Sequence, residues 1–285
     1  MKKNPPKRKP APRRKPKKKK SFFSGNVLKF SLWAFFLLLI TGTAYHYREG
    51  LAFYFSFKTD KKLSEDERRI ADLRIYQVLG KHENKVCGFD VSEYQGKIDW
   101  EKANSIDEII PLEFVFIRAT AGKNRIDSKF KDNWREAKKH KLIRGAYHYY
   151  RPNENSIEQA NNFIKTVKLQ KGDLPPVLDI EQLPKGQSID SLKVGLKRWL
   201  KKVERHYNVK PIIYSGESYY SDFLEEEFSE YTFWIANYNF FVETIKNEWT
   251  FWQFTEKAKI PGIKGNVDIN IYNGTPKQLG YFTVN

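Results

Sequence analysis

The sequence predicts an α/β fold, an irregular TIM-like barrel, preceded by a disordered basic tail and one transmembrane helix. Short apolar runs recur from Val86 onward at a spacing of roughly 30 residues, which is typical of βαβ units and a parallel sheet. After Tyr214 the connections become too short for long helices, which indicates an irregular closure of the barrel. Before residue 86 the chain is first basic and then uncharged. This order predicts a tail and an anchor ahead of the barrel.

Composition excludes several classes of protein. Of the 285 residues, 40% are apolar and 15% are aromatic, which is enough for a large core and excludes disorder of the whole chain. A single cysteine, Cys87, excludes an intramolecular disulfide framework and a multi-cysteine metal site. The formal net charge is +17, but residues 1–20 hold twelve Lys and Arg and no acid. Most of the basic character therefore belongs to the tail.

The N-terminal region predicts a membrane anchor. Residues 1–29 form a Lys- and Pro-rich tail that cannot bury apolar surface, and we expect it to be disordered and cytoplasmic. Residues 30–47 contain no Lys, Arg, Asp or Glu, and a helix of that length spans about 27 Å, close to a bilayer core. Lys and Arg ahead of a span keep that end in the cytoplasm. We therefore expect one pass through the cell (inner) membrane, with the later residues periplasmic or extracellular.

Two other interpretations of this region remain open. Gly42–Ala44 resembles a small-residue cleavage site, so the segment could be a signal peptide that is removed. The basic tail could bind nucleic acid, but a topology signal already explains its charge without a base-reading module. We expect a lipid bilayer as a partner and no nucleic acid.

Residues 48–85 are predicted to be a juxtamembrane linker that contains one helix. Ser64 and Glu67 have the spacing of a capping box, and Ile70, Leu73 and Val78 follow with roughly helical spacing. The pattern is that of a stalk helix or of a helix packed on the bottom of the following domain.

Residues 86–285 are predicted to form the barrel. Eight runs have the length, the β-branched and aromatic content and the flanking Gly and Pro of buried strands: 86–92, 114–120, 144–150, 175–181, 210–216, 232–238, 249–255 and 267–272. Ser156 and Gln159 indicate a capping box at the start of one helix, and Ile189 begins the apolar face of another. About five crossover helices would join the strands. An open doubly wound sheet is the alternative, because periodicity does not report closure.

Acidic residues end several of these strands. Asp90 closes the first strand, Asp179 and Glu181 close the fourth, and Asp268 lies in the eighth. Reactive groups of a parallel barrel cluster at the carboxyl ends of its strands, and residues two apart on a strand share a face. Carboxyl groups crowded in one pocket cannot all ionise freely, so one of them can serve as a general acid. This is the chemistry of a glycosidase.

Two other roles are open to these acids. Each could cap a loop or a helix N-terminus, which is the commonest role of a single acid. Together they could bind a metal ion, but no His-x-x-x-His or Asp-rich loop accompanies them. His148 is expected to be a hydrogen-bonded barrel residue, since no second His is spaced to join it as a ligand. We therefore expect neither a metal nor a cofactor.

Aromatic and neutral polar residues near the same strand ends suit an uncharged glycan. Flat rings can stack on sugar faces, although most aromatic residues in a fold of this kind belong to the core. Amide side chains can bond to hydroxyl and acetamide groups. The candidate substrate-binding residues are Tyr94, Gln95, Tyr147, Tyr149, Tyr214, Trp234, Asn237, Gln253 and Asn270.

These motifs, in this order, resemble glycoside hydrolase family 25, the Chalaropsis-type lysozymes or N-acetylmuramidases. The matching segments are D-V-S-E-Y-Q-G at 90–96, F-I-R-A-T at 116–120, G-A-Y-H-Y-Y at 145–150, L-D-I-E at 178–181, I-I-Y-S at 212–215, W-I-A-N-Y at 234–238, W-Q-F at 252–254 and V-D-I-N at 267–270. The resemblance covers roughly 86–273, and members of the family are often secreted rather than anchored. The anchor favours local remodelling of the cell wall over bulk lysis.

The resemblance implies a (β/α)5β3 barrel that cleaves the β-1,4 bond after N-acetylmuramic acid in peptidoglycan. It implies that Glu181 is the proton donor, Asp179 the adjacent carboxylate, and Asp90 and Asp268 the flanking acids. Asp179 would either attack the anomeric carbon or orient the N-acetyl group of the substrate. Peptidoglycan strands are the expected partner. A non-catalytic glycan-binding protein and a chitinase-like glycosidase are the alternatives, and only the D-x-E part of the longer chitinase signature is present.

Overall fold

The computed structural model describes residues 25–46 and 64–285, and the chain forms two units, Met1–Arg48 and Glu49–Asn285. In the first unit, helix α1 spans Gly25–His46. Over the residues that the structure describes, we find no helix that combines the length and the apolar character needed to cross a membrane. The span predicted at 30–47 is therefore not confirmed. Most of the predicted tail, 1–24, the last residue of the predicted span, 47, and part of the linker, 48–63, lie outside the described residues.

Eight strands within residues 64–285 close into a barrel. They are β1 (Val86–Val91), β4 (Phe114–Ala121), β6 (Ile143–Tyr149), β7 (Val177–Asp179), β8 (Ile212–Gly216), β9 (Thr232–Ala236), β10 (Phe251–Ala258) and β11 (Val267–Tyr272). Their order follows the chain, and β1 pairs with both β4 and β11. The predicted closed barrel is therefore confirmed, and the open doubly wound sheet is wrong.

The barrel is not wholly parallel, contrary to the prediction. Strand β11 runs antiparallel to β10 and to β1, whereas the other neighbouring strands of the barrel are parallel. The connection between β10 and β11, 259–266, is a short hairpin, and a hairpin can join only antiparallel strands. As a result, the start of β11 lies at the same end of the barrel as the carboxyl ends of the other strands.

The connections contain fewer long helices than the five predicted. In residues 64–285 the long crossover helices are α3 (Phe130–Lys139), α4 (Ser156–Thr166) and α5 (Ile189–Tyr207). The first crossover instead holds a 3₁₀ turn at Glu93–Gln95 and the small strands β2 (Ser105–Ile106) and β3 (Ile110–Pro111), and β4 carries a short antiparallel partner, β5 (Arg125–Ile126). Short helical turns, Glu217–Tyr219 and Tyr220–Leu224, follow β8, and α6 (Pro276–Phe282) follows β11.

The predicted capping box of α4 is wrong. Asn155 is the N-cap, and its side chain accepts hydrogen bonds from the amides of Ile157 and Glu158 at 2.9 and 3.1 Å. Ser156 is the first helical residue, and Gln159 turns inward to contact the ring of His148 at 3.1 Å. Asn is as good an N-cap as Ser, so two adjacent capping residues leave the start of a helix ambiguous by one position.

Two apolar layers hold the barrel together. Inside it, Phe114, Phe116, Trp234 and Phe251 pack into one cluster, with the Phe116 and Trp234 rings stacked at 4.3 Å between centroids. Gly145 makes room for this interior, since a Cβ at that position would lie 2.5 Å from the Phe116 ring. The outward residues of the same strands pack against the helices in a second cluster. Because the interior is filled, the barrel is a packed core and not a pore.

Helix α2 (Glu65–Gly80) packs on the barrel and is not a free stalk. The Ser64 and Glu67 capping box is present as predicted. Ile75, Val78 and Leu79 are buried in the outer apolar cluster of the barrel, together with Trp252 of β10. Strands β9 to β11 lack long crossover helices, so α2 supplies the cover that their outer face would otherwise miss. Of the two roles that the sequence leaves open for this helix, the packing agrees with a helix packed on the following domain.

Cys87 gives a prediction about redox independence. It is buried in β1, and burial raises the pKa of its thiol to about 12, which keeps the sulfur protonated. We expect Cys87→Ser and Cys87→Ala to fold and to keep activity within about twofold of the wild-type chain, with a loss of stability on the order of 1 kcal/mol from reduced packing. Activity assays with and without a thiol reductant test this. A large loss of activity in both folded variants would instead indicate a role for the thiol.

Candidate active site

A cleft of about 490 Å³ opens at the carboxyl ends of the parallel strands. It is bordered by the ends of β1, β4, β6, β7, β8 and β9, by β10 and by the start of β11. The lining residues are Asp90, Val91, Ser92, Tyr94, Gln95, Arg118, Tyr147, Tyr149, Asp179, Glu181, Tyr214, Gly216, Tyr219, Trp234, Ala236, Tyr238, Gln253, Glu256 and Asp268. All four predicted carboxylic acids are among them.

The strand register explains why these acids meet. Asp90 lies directly opposite Asp268 in the pairing of β1 with β11. Asp179 is the last residue of β7, and Glu181 follows two residues later on the same face, while Ile180 is fully buried behind them. The Ile180 amide donates to the Tyr214 carbonyl at 3.0 Å, and Ser215 Oγ donates to the Ile180 carbonyl at 2.6 Å. Strand β8 thus holds the backbone between the two carboxyls in place.

Asp90 is held from behind by two amides. Gln253 Nε2 and Asn270 Nδ2 donate to Asp90 Oδ2 at 2.7 and 2.8 Å. Burial raises the pKa of the Asp90 carboxyl to about 7, against the opposing effect of these two hydrogen bonds, and the nearby Glu181 adds to the rise. Asp90 is therefore a fixed group that can change its charge near neutral pH.

Asp179 and Glu181 form the central pair. Burial raises the pKa of Asp179 well above its ordinary value, and the carboxyls of Glu181 and Asp90 raise it further. Desolvation by the surrounding cleft also raises the pKa of Glu181, although Tyr214 and Asp179 act in the opposite direction by hydrogen bonding to it. Two carboxyls in contact cannot both ionise at low cost, so the pair retains a proton that it shares. Among the described residues, Asp179 Oδ1 is buried without a hydrogen-bond partner.

Asp268 completes the acidic group. Burial raises its pKa well above the ordinary value, and Asp90 and Glu256 increase the effect through their charge. Arg118 is the one Lys or Arg side chain among the described residues that line the cleft. The excess of carboxyl groups over cations therefore favours proton retention in the cleft, which a general acid requires.

Seven of the nine predicted substrate-binding residues line the cleft, and Asn237 and Asn270 do not. Asn270 lies behind the acids, where it donates to Asp90 and accepts from Trp234 Nε1 at 2.8 Å. Asn237 is buried after β9, where its side chain donates to Glu217 and accepts from the Asn239 amide at 2.8 Å. Both amides therefore support the site from within the fold and are not placed to touch a glycan.

The aromatic residues divide into two groups. Trp234 is 2% exposed and Tyr214 is 7% exposed, and both belong to the apolar cluster inside the barrel. Their rings therefore form the floor of the cleft. Tyr94 is 76% exposed and its ring lies over the Arg118 guanidinium at 4.6 Å. An exposed ring held by a cation on one face leaves the other face free to stack on a sugar. Tyr94 is therefore the residue best placed as a stacking surface.

The prediction from sequence did not assign Arg118, although it lies in the F-I-R-A-T segment. Arg118 is buried, and it forms ion pairs with Asp127 at 2.9 Å and with Glu93 at 3.0 Å. Bonds from the Ser128 amide and Arg125 lower the pKa of Glu93 to about 2, so the network stays charged. A charged residue inside an apolar strand is rarely buried without a partner. The position of Arg118 within the apolar run 114–120 is therefore a signal in the sequence for a buried ion pair.

Asp90 also gives a prediction about stability. Its pKa in the folded chain, about 7, exceeds the ordinary value of 3.8, so the folded chain binds this proton more tightly than the unfolded chain does. The corresponding stability is complete below about pH 4 and is lost as the pH rises through 7. Asp90→Asn keeps an oxygen for Gln253 and Asn270 but cannot ionise.

We therefore expect Asp90→Asn to unfold at the wild-type temperature near pH 4 and at a higher temperature near pH 8, with a gain on the order of 1 to 3 kcal/mol. Thermal unfolding of both proteins at the two pH values measures the difference. An equal change at both pH values would show that ionisation of Asp90 is not its cause.

Comparison with known proteins agrees with this geometry. The family model described as "Glycosyl hydrolases family 25" matches residues 89–263. The chain is 41% identical over 201 residues to the uncharacterized protein YegX of Escherichia coli strain K12, covering 69% of this chain and 73% of that one. It is 32% identical over 209 residues to Lysozyme M1 of Streptomyces globisporus, covering 68% of this chain and 70% of that one.

A solved structure also shares the fold. The bacterial lysozyme of Streptomyces coelicolor is 29% identical to this chain and superposes with a TM-score of 0.62, over 69% of this chain and 96% of that one. The family match spans more than half of the chain and includes Asp90, Asp179 and Glu181. The chain therefore belongs to family 25 of the glycosyl hydrolases.

Proposed function

We propose that this protein is an N-acetylmuramidase, a peptidoglycan hydrolase that cleaves the β-1,4 bond between N-acetylmuramic acid and N-acetylglucosamine. The observation that carries the proposal is the pair of adjacent carboxyls with raised pKa values, Asp179 and Glu181, in a cleft at the catalytic end of a family 25 barrel. The similarity to lysozymes supports peptidoglycan as the substrate. We propose that this reaction serves remodelling of the cell wall or its lysis.

In the proposed mechanism Glu181 donates its proton to the glycosidic oxygen as the bond breaks. Glu181 is exposed to the cleft, whereas Asp179 is only 4% exposed, so Glu181 is the carboxyl that a leaving group can reach. The developing positive charge on the sugar ring then lies next to Asp179, which stabilises it as a carboxylate. Asp179 acts either as the nucleophile or by orienting the acetamide of the substrate.

The remaining groups tune this pair. The charge of Asp90 raises the pKa of Asp179 and so resists early loss of the shared proton. Asp268 lies opposite Asp90 in the strand register. Gln253 and Asn270 hold Asp90, and Tyr214 and Trp234 form the floor. Tyr94 and Gln95 are proposed to contact the glycan at the mouth of the cleft.

The test is digestion of purified peptidoglycan by the full-length chain in detergent, followed by mass spectrometry of the new reducing ends. A muramidase leaves N-acetylmuramic acid at the reducing end, whereas a glucosaminidase leaves N-acetylglucosamine. A glycan-binding protein without activity would bind the polymer and release nothing. Cleavage of chitin at a higher rate than peptidoglycan would favour the chitinase-like alternative.

We also propose that the enzyme is anchored in the cell (inner) membrane by one N-terminal helix, with the barrel periplasmic or extracellular. The support is the cluster of twelve basic residues in 1–20 ahead of the uncharged residues 30–47. We propose accordingly that 1–29 is a cytoplasmic tail and that 86–285 contains the catalytic barrel. Reporter proteins fused after residue 60 should be active only outside the cytoplasm.

The full-length chain should also remain with membranes after alkaline washing. Release of a shortened soluble form would show cleavage near Ala44 and a signal peptide. Unchanged orientation after deletion of the basic tail would contradict the charge argument.

A further inference from the structure

Helix α2 precedes the matched family region, 89–263, yet it contacts the segment that follows Tyr238, a residue of the cleft lining. Its most buried polar residue is Arg74, whose side chain reaches the segment that leaves β9. Arg74 Nη2 donates to the carbonyls of Asn239, at 3.0 Å, and Val242, and the guanidinium lies 5.7 Å from the centre of the Trp252 ring. Arg74 therefore joins α2 to the segment 239–245.

Burial of the charged Arg74 side chain costs free energy that an apolar residue in the helix would not cost. Arg74 is fully buried, and among the described residues its Nε and Nη1 atoms have no hydrogen-bond partner. Burial lowers the pKa of its guanidinium to about 10, so it remains charged at neutral pH. An apolar side chain of similar volume often stabilises such a position better than a buried charge does. The free-energy cost of burying Arg74 indicates that its contacts with the two carbonyls serve to place the segment that follows β9.

Two neighbouring contacts hold the same segment. Lys81 forms an ion pair with Glu243, and His82 Nε2 accepts a hydrogen bond from the Ile245 amide at 3.2 Å. The other ring nitrogen of His82 contacts the Val78 carbonyl at 2.6 Å, so the ring bridges α2 and the segment. Together with Arg74, these residues attach 239–245 at both ends and in the middle.

The attached segment leads into the acidic site. Tyr238, which lines the cleft, immediately precedes Asn239, and its hydroxyl donates to Gln253 Oε1. The other end of that amide, Gln253 Nε2, donates to Asp90. Trp252, which lies beside Arg74, donates from Nε1 to the Asn237 carbonyl at 3.0 Å. A continuous set of contacts therefore joins α2 to Asp90 through Tyr238 and Gln253.

We infer that Arg74 is a positioning residue of the active site and that α2 is part of the catalytic unit. Arg74 holds segment 239–245 so that Tyr238 and Gln253 keep Asp90 oriented towards the central carboxyl pair. The inference rests on the proposed function, since orientation of Asp90 matters only to a reaction at that pair. It also explains why a helix outside the matched region carries a buried cation.

The test compares Arg74→Met with Arg69→Met in the full-length chain. Arg69 is an exposed residue of the same helix, which makes it a matched control. We expect Arg74→Met to lower kcat by about tenfold with less than a threefold change in KM, and to keep a thermal unfolding temperature near that of the wild type, because methionine fills the space without a buried charge. Arg74→Lys, which keeps the charge and one donor, should recover part of the loss, and Arg69→Met should match the wild type.

A double-mutant cycle separates positioning from a general structural effect. If Arg74 acts through Tyr238, then Arg74→Met should cost much less kcat in a Tyr238→Phe background than in the wild type. Additive losses, or a wild-type kcat in folded Arg74→Met, would overturn the inference. If Arg74→Met does not fold, Arg74→Lys is the deciding variant. A wild-type kcat in Arg74→Lys, together with faster amide exchange in 239–245, would overturn the inference.

Hydrogen exchange distinguishes failure of this inference from failure of the proposed function. Amides of 239–245 should exchange faster in Arg74→Met than in Arg69→Met, whatever the substrate of the enzyme. An inactive wild-type chain with this difference would contradict the muramidase proposal alone. An active wild-type chain without the difference would contradict the role of Arg74 alone.

Discussion

Glu181→Gln is expected to lower turnover of peptidoglycan by on the order of 10² to 10⁴ while binding of the glycan survives. Glutamine has nearly the same shape as glutamate, but it cannot deliver a proton to the leaving oxygen. Because the pKa of Glu181 is raised, the wild-type rate should fall at alkaline pH as the pair loses its proton. The residual rate of Glu181→Gln should lack this alkaline decline.

Release of reducing ends from peptidoglycan across the pH range measures both effects. Glu158→Gln, an exposed substitution on α4, is the control for loss of a negative charge, and its pH profile should match that of the wild type. A pull-down with insoluble peptidoglycan checks that Glu181→Gln still binds. Digestion by this variant at the wild-type rate would show that Glu181 is not the acid.

The four acids could be predicted because they interrupt apolar strands at one end of the barrel. Asp90 and Asp179 are buried at strand ends, and among the described residues neither forms an ion pair with Lys or Arg, which marks them as candidates for a site. The prediction of Asp268 assumes a wholly parallel barrel with its reactive groups at the carboxyl ends of the strands, and this does not hold for the last strand. Asp268 lies near the start of β11, and only the antiparallel direction of that strand brings it opposite Asp90. Sequence periodicity reports burial of a strand and not its direction.

The supporting residues could not be placed from the sequence. Asn270 and Asn237 follow the same pattern as the residues that line the cleft, yet their amides turn towards Asp90 and Glu217. Side-chain direction at the end of a strand depends on the pairing partners, which the sequence does not specify. For the same reason, Arg74 carried no signal. Its role depends on a contact with residues more than 160 positions later.

The length of a connection between strands overestimates the helix content of this chain. The crossover from β1 to β4 is long enough for a helix, but it forms the small antiparallel pair β2 and β3 instead. Conversely, the position of α2 ahead of the first strand leaves open whether it is a stalk or packs on the barrel. Burial of Ile75 and Val78 against the barrel shows that its apolar face belongs to the same core.

Asp179→Asn is expected to reduce hydrolysis at least as strongly as Glu181→Gln, but for a different reason. Asparagine removes the negative charge that would stabilise the sugar cation or orient the acetamide, and the loss does not depend on protonation of the leaving group. Asp179 lines the cleft, and among the described residues no hydrogen-bond donor contacts its buried Oδ1. Asparagine also keeps the volume of the side chain, so folding should be retained.

A substrate with a better leaving group separates the two roles. An aryl glycoside with an acidic phenol needs little proton donation, so it should restore the rate of Glu181→Gln towards the wild-type rate and restore that of Asp179→Asn much less. The measurement is kcat/KM for the aryl glycoside and for peptidoglycan in the wild type and both variants. Greater recovery in Asp179→Asn would exchange the two assignments, and equal recovery would show that neither carboxyl is the dedicated proton donor.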